Sequence, residues 1–305
     1  MTPPLFSVVI PAYNYPSGLQ KVLTALARQQ AAPPFEVLVI DDGSPESLEP
    51  ITESFRDRLQ LRYVCPPNGG PGKARNLGAR LAAGEWLAFT DHDCEPEPDW
   101  LAALAEAAVD SGGALLGGRR VTGLPENGWS IAHDMLCIFA TRWSSAEQTP
   151  YFSTENLSMP RLRFLESGGF DDRFRYAQED REFCARWRSL GFPMCRVDGA
   201  VIRHSHSFTS RSFYRQHFRY GEGAVEFYEV RNSPGPAWSL ATRLRFYAGL
   251  LTCPFASLPP LHALGISTRI AVAQVAYARG YYSALRASRN RRKPSSNPSV
   301  RTSSG

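Results

Sequence analysis

The chain reads as an α/β protein with a mostly parallel central sheet flanked by helices and a helical C-terminal extension. Three observations predict this. The first ~120 residues alternate short β-branched runs with stretches of helical spacing. Three of those runs end in polar loops, as strands do at the ligand-binding edge of a parallel sheet. With 305 residues, 43% of them hydrophobic, the chain can bury one large core and still carry appendages.

Element by element, Phe6 to Ile10 is a β-branched run ended by Pro11. Gly18 to Gln30 follows, with Leu19, Val22, Leu23, Leu26 and Ala27 at helical spacing. Phe35 to Ile40 predicts a second buried strand ending in Asp41-Asp42-Gly43-Ser44, and Ser44-Pro45-Glu46 an N-cap with proline in the first turn. Leu61 to Val64 is a short strand, Lys73 to Ala83 a helix and Glu85 to Thr90 a strand. Asp99 to Val109 is a further helix and Ala114 to Val121 a further strand. Beyond these, Gln178 to Leu190 is helical, Met194 to Ile202 strand-like and Ser212 to Val230 a long aromatic helix. Phe246 to Ile266 has no charged residue but contains Pro254, Pro259 and Pro260, which argues against a membrane-spanning helix. It fits an interfacial or re-entrant segment, or a packed helical hairpin. The expected organisation is a domain at 1–232, a helical extension at 233–287 and a disordered basic tail at 288–305.

Net charge is +5, and the excess gathers late, at Arg286, Arg289, Arg291, Arg292, Lys293 and Arg301. Basic tails favour anionic surfaces; an inner plasma-membrane face fits here, with no nucleic acid expected as partner. The six cysteines are scattered without a C-x-x-C, which argues against a disulfide framework or zinc site and for a reducing compartment. The start, MTPPLFSVVIP, has no basic n-region, so a cytoplasmic location is expected and the sequon at Asn156 is of no consequence.

The chemistry concentrates in the loops. Trp86 to Phe89 is followed at once by Asp91 and Asp93. Two carboxylates at a strand end suit a hard divalent cation, Mg2+ or Mn2+, bridging substrate phosphates. Pro11 to Asn14 and Asp41 to Ser44 would share their sheet edge. There Asp42 can accept from a ribose or base, and Tyr13 can stack on a base. Asn68-Gly69-Gly70-Pro71-Gly72 allows close backbone approach, and Arg75 offers a planar fork to phosphate. A dinucleotide fingerprint is excluded because PAYNYPSG has proline in its place. A P-loop is excluded because Ala74 stands where the hydroxyl should be.

VVIPAYN, VIDDGSPE, GGPGKARNLGA and FTDHDCEP, in that order, resemble the family 2 inverting glycosyltransferases of GT-A fold, over about residues 6 to 230. The resemblance implies a nucleotide-diphosphate sugar donor (UDP-, GDP- or dTDP-linked), a divalent metal, and a glycan or lipid-linked acceptor. Carried over, Pro11, Ala12, Tyr13 and Asp42 hold the nucleoside and Arg75 lies near the phosphates. Asp91 and His92 lie on the donor side, and Asp93 ligates the metal. Gly168-Gly169-Phe170 resembles the acceptor-side loop, and Gln178 to Phe183 the E-D-x-E segment, in which Asp180 is the implied general base and Glu179 the fallback. His204 and His206 stand where some members place a histidine on the metal. Gln216 to Tyr220 resembles the Q-x-x-R-W motif of processive synthases, with tyrosine for tryptophan, so Arg219 is expected to reach the diphosphate of a non-processive enzyme. The rivals are a sugar-1-phosphate nucleotidyltransferase, a haloacid-dehalogenase-like phosphatase and an inactive glycan-binding or scaffold protein. The first lacks its basic loop after the first strand, and the second needs its D-x-D on an early strand.

Overall fold

The strands expected in the first half all form in the computed structural model, which describes residues 3–146, 150–174, 177–231 and 238–291. In chain order the elements are β1 (Phe6–Ala12), α1 (Pro16–Leu26), β2 (Phe35–Asp41), α2 (Glu49–Glu53), β3 (Leu61–Val64), α3 (Pro71–Leu81), β4 (Trp86–Phe89), β5 (Cys94–Pro96), α4 (Trp100–Val109) and β6 (Leu115–Thr122). Then come α5 (Gly128–Ala146), a 3-10 turn (Thr154–Asn156), β7 (Leu157–Pro160), α6 (Arg161–Glu166), α7 (Glu179–Ser189), β8 (Met194–His204) and α8 (Ser210–Val230). Last are α9 (Leu240–Thr252), a 3-10 turn (Cys253–Ala256) and α10 (Pro260–Arg291).

The strands form one sheet in the order β3-β2-β1-β4-β7-β6-β8-β5. It is mostly parallel: β7 and β5 run against the rest. β1 presents Phe6, Val8 and Ile10 to one face, where α1 and α4 cover them, and Val9 to the other. On that second face a ring cluster of Phe89, Phe164, Phe170 and Phe183 seals the core. Burying each such ring stabilises the fold by ~1.5–3 kcal/mol.

Register fixes the site. Ala12 pairs with Asp41, and Thr90 N–H bonds Val9 O, so the loops after β1, β2 and β4 emerge at one edge. The pairing of β5 with β8 sets Cys94 opposite His204, and Ser205 N–H donates to Asp93 O at 2.8 Å. That short antiparallel ladder lays the histidines of the β8 end beside a carboxylate more than a hundred residues earlier.

Several elements differ from expectation. The Ser44 N-cap does not form; its hydroxyl donates to Asp41 Oδ1 at 2.5 Å, and the next helix starts only at Glu49. Buried Asp41 outcompetes helix initiation because it needs donors, and Tyr63 supplies another at 2.6 Å. α5 turns its polar residues Ser130, His133 and Asp134 inward, where they are buried, so the usual apolar-in, polar-out pattern does not mark it. β7 is four residues ending in proline. The buried Asn156 side chain receives Trp100 Nε1–H and donates to Ala200 O, so that asparagine is a structural pin.

The Phe246–Ile266 run is a helix, a turn and the start of a second helix, with Phe246, Leu250 and Ile266 packed against α5. Among the described residues no helix is long and apolar enough to cross a membrane. α10 crosses α8 at glycines: a Cβ on Gly280 would lie 1.9 Å from Phe218 O, and one on Gly221 2.0 Å from Tyr277 O. α10 runs through the expected boundary at 287, so Arg286, Arg289 and Arg291 belong to a helix; residues 292–305 of the expected tail lie outside the described residues.

Candidate active site

A cleft of about 920 Å3 opens at the sheet edge where these loops meet. Pro11, Ala12, Tyr13, Asp42, Arg75, Asp91, His92 and Asp93 all line it, as do Glu179 and Asp180. Tyr13 stands 46% exposed at the rim. His92 Nδ1–H donates to Pro11 O at 3.0 Å, which ties the β4 loop to the end of β1. The Asp42 carboxylate accepts from Gly69 N–H (2.7 Å), Gly70 N–H (2.8 Å) and Asn68 Nδ2 (3.2 Å), so it also holds the glycine loop in place.

Arg75 is nearly buried, at 3% side-chain exposure, and bridges two acids. Its Nη2 donates to Asp91 Oδ1 at 2.6 Å and its Nη1 to Glu179 Oε1 at 3.3 Å. The guanidinium therefore links the β4 loop to the start of α7 and fixes Asp91 through one oxygen. Beside it, Asp180 receives Arg181 N–H at 2.7 Å. Burial, and then the neighbouring Glu179 charge, push the Asp180 carboxyl up to about 7. Burial also raises Glu179, while Arg75 opposes the shift. Gln178 precedes this helix with a left-handed backbone, φ +77°, which turns the two acids into the cleft mouth.

Asp93 faces two imidazoles. His206 Nδ1–H donates to its Oδ2 at 2.9 Å, and His204 Nε2 lies 3.8 Å from that oxygen. His204 gives its other nitrogen, Nδ1, to Asp134 Oδ1 at 2.8 Å. Against burial, Asp93 and Asp134 together raise the His204 imidazole, so without a cation between them the ring favours its protonated form; a cation beside Asp93 would take the place of the proton on Nε2 while Asp134 keeps Nδ1–H. Burial favours a protonated Asp93, but His204 and His206 outweigh it and the carboxyl is lowered. One carboxylate with two imidazoles fits a divalent cation, Mn2+ better than Mg2+. Asp91 fits less well, since Arg75 holds it. Behind this set, His133, Asp134 and His204 bring buried donor atoms within 4.8 Å of one another. There the Arg120 guanidinium, 3.3 Å from Asp134, opposes a second cation.

Other expected residues lie elsewhere. Phe170 is 1% exposed in the ring cluster, and its backbone is clamped by Asn76 at 2.8 Å on both sides. Gly169 is required for that clamp: at φ +68°, a Cβ would sit 2.5 Å from Asn76 Oδ1. Gly168 shares the turn at φ +88°. Arg219 lines a separate small cavity with Glu222 and Glu226, while its neighbours Gln216, His217 and Tyr220 face the cleft. The helix turns Arg219 away from them. Sequence reasoning missed much of the far wall: Arg120 with Glu155, Tyr151, Trp143 and Tyr277. An arginine inside a strand, Arg120, held by Glu155 at 2.7 Å through Nε, is the signal that could have pointed there.

A sequence model of Glycosyl transferase family 2 matches residues 7–177, more than half of the chain. The protein belongs to that family. It is 34% identical over 223 residues to a validoxylamine A glucosyltransferase of Streptomyces hygroscopicus subsp. limoneus, covering 63% of this chain and 49% of the relative. It is 30% identical over 240 residues to a chondroitin synthase of Escherichia coli, covering 65% of this chain and 34% of the relative. The chain thus spans about half or less of the length of these curated relatives. Among solved structures, the mannosyltransferase PcManGT from Pyrobaculum calidifontis, in complex with GDP-Man and Mn2+, has the same fold, with a TM-score of 0.64 at 18% identity. That match covers 93% of this chain and 88% of the neighbour.

Proposed function

We propose that the protein is a metal-dependent inverting glycosyltransferase, moving one sugar from a nucleotide-diphosphate sugar to a hydroxyl of a glycan or lipid-linked acceptor. The observation that carries this reading is Asp180. Its carboxyl, pushed up to about 7, shares one cleft with Asp91 and Asp93. A base poised near neutral pH balances availability against strength. As the acceptor oxygen bonds to the anomeric carbon, the bond to the diphosphate breaks, and the hydroxyl proton passes to Asp180. Arg75 holds Glu179 at fixed distance from Asp91, which aligns the acceptor side with the donor side. Tyr13 covers the base and the loop held by Asp42 approaches the nucleotide. Asp93 with His204 and His206 would hold Mn2+ or Mg2+, which supplies positive charge against the leaving diphosphate.

The test is a screen of the purified chain against UDP-, GDP- and dTDP-sugars, with and without Mn2+. Metal-dependent donor hydrolysis, together with a thermal shift by one nucleotide class, supports the reading. No shift and no turnover with any donor contradicts it.

A further inference from the structure

The apolar run that suggested a membrane segment has two faces. Phe246, Leu250 and Ile266 point inward. Leu244, Tyr247 and Leu251 recur at helical spacing along the outside of α9, and Phe255, Leu261 and Leu264 continue the surface through the turn into α10. Leu244 is 62% exposed and Leu261 88%. The two helices are pinned together where Ser267 Oγ donates to Leu251 O at 2.7 Å, so Leu251 and Leu264 lie on neighbouring turns. Several large aliphatic side chains left together in water mark a contact surface rather than scattered exposure.

Charge indicates what covers it. From Val230 to Gly305 the sequence has eleven Lys or Arg residues and no Asp or Glu. The preceding 229 residues carry 23 basic against 29 acidic, a net of −6. Within the described part, Arg243 is exposed on α9 and Arg279, Arg286 and Arg289 on α10. An apolar stripe with exposed arginines, on a segment with no carboxylate of its own and a chain otherwise net acidic, suits a surface of anionic headgroups over acyl chains; Glu229 of α8 reaches α10 at Ser288, well past the stripe. The stripe also meets the cleft: Tyr247 belongs to both, beside Trp143, Phe246 and Leu250 in the cleft wall.

We infer that the outer face of α9 and the start of α10 docks the protein on an anionic lipid bilayer, so that a lipid-borne acceptor enters the cleft past this aromatic wall. The acceptor half rests on the glycosyltransferase reading; the docking half does not.

Flotation of the full chain with vesicles tests it, using phosphatidylcholine alone or mixed with phosphatidylglycerol, at low and high salt. Donor hydrolysis is measured on the same preparations. The chain floats with the anionic vesicles at low salt and at least ~10-fold less with the zwitterionic ones. Leu244→Gln combined with Leu261→Gln, both on the exposed face, lowers partitioning ~10-fold or more while leaving the circular dichroism spectrum and donor hydrolysis unchanged. A parent chain that stays at the bottom of every gradient overturns docking, and so does a double variant that floats equally well. Dimers in sedimentation that the double variant abolishes, without flotation of the parent, assign the face to a second copy and also overturn it. Loss of donor hydrolysis by the parent with flotation intact counts against the glycosyltransferase reading alone.

Discussion

The sheet-edge side of the cleft, where the donor is proposed to bind, and its far wall are built in opposite ways. On the donor side, every lining residue lies within a few positions of a strand end or a helix start: Pro11 to Tyr13, Asp42, Arg75, and Asp91 to Asp93. A parallel sheet aligns those ends automatically, so the chemistry is written in short contiguous words. The far wall takes Arg120 from β6 and otherwise sets of residues on one face of α5, α7, α8, α9 and α10, with the turn before β7. These helices are distant in sequence, and tertiary packing, such as the glycine crossing of α8 and α10, brings their faces together. The proposed donor side is thus a property of the sheet, while the far wall depends on how the helices pack.

If that division holds, damage to the donor side abolishes the reaction. Asp93→Ala removes the carboxylate on which both imidazoles converge. It should lower turnover roughly a thousand-fold and eliminate Mn2+-dependent donor binding in calorimetry. Unchanged donor affinity would break the comparison at its strongest point. Arg75→Met tests the link between the halves. It strips the counter-charge from Asp91 and Glu179 and should cost ~3–5 kcal/mol in denaturant unfolding, with loss of activity. An equally stable, active variant would mean that the halves are positioned independently. The smallest effect is expected at Tyr13, half in solvent. Tyr13→Ala should raise the donor KM by only ~5-fold, the low end of base–aromatic stacking, and leave kcat nearly unchanged.

The same contrast explains what the sequence could reveal. The strands of β1, β2, β3 and β4 and their loops were legible because β-branched runs and their polar stops are local signals. Asp180 was legible only through family likeness, since two acids at a helix start usually serve the helix dipole. Ser44 was misread as a cap because Asp41, buried by the fold, claims its hydroxyl. Phe170 and Arg219 sit in recognisable motifs, but the first is held in the aromatic core and the second faces another cavity. α5 was not legible because its polar residues, Ser130, His133 and Asp134, face the interior rather than solvent.

The central claim is that Asp180 is the base, and the pH dependence of kcat/KM tests it most directly. A base must be unprotonated to act, and the Asp180 carboxyl is pushed up to about 7 by burial and by Glu179. Activity should therefore climb as pH rises through about 7 and fall away below it. Asp180→Asn should flatten that limb and lower turnover by ~100-fold or more while donor affinity is retained. A limb that survives in Asp180→Asn and disappears in Glu179→Gln would contradict the account.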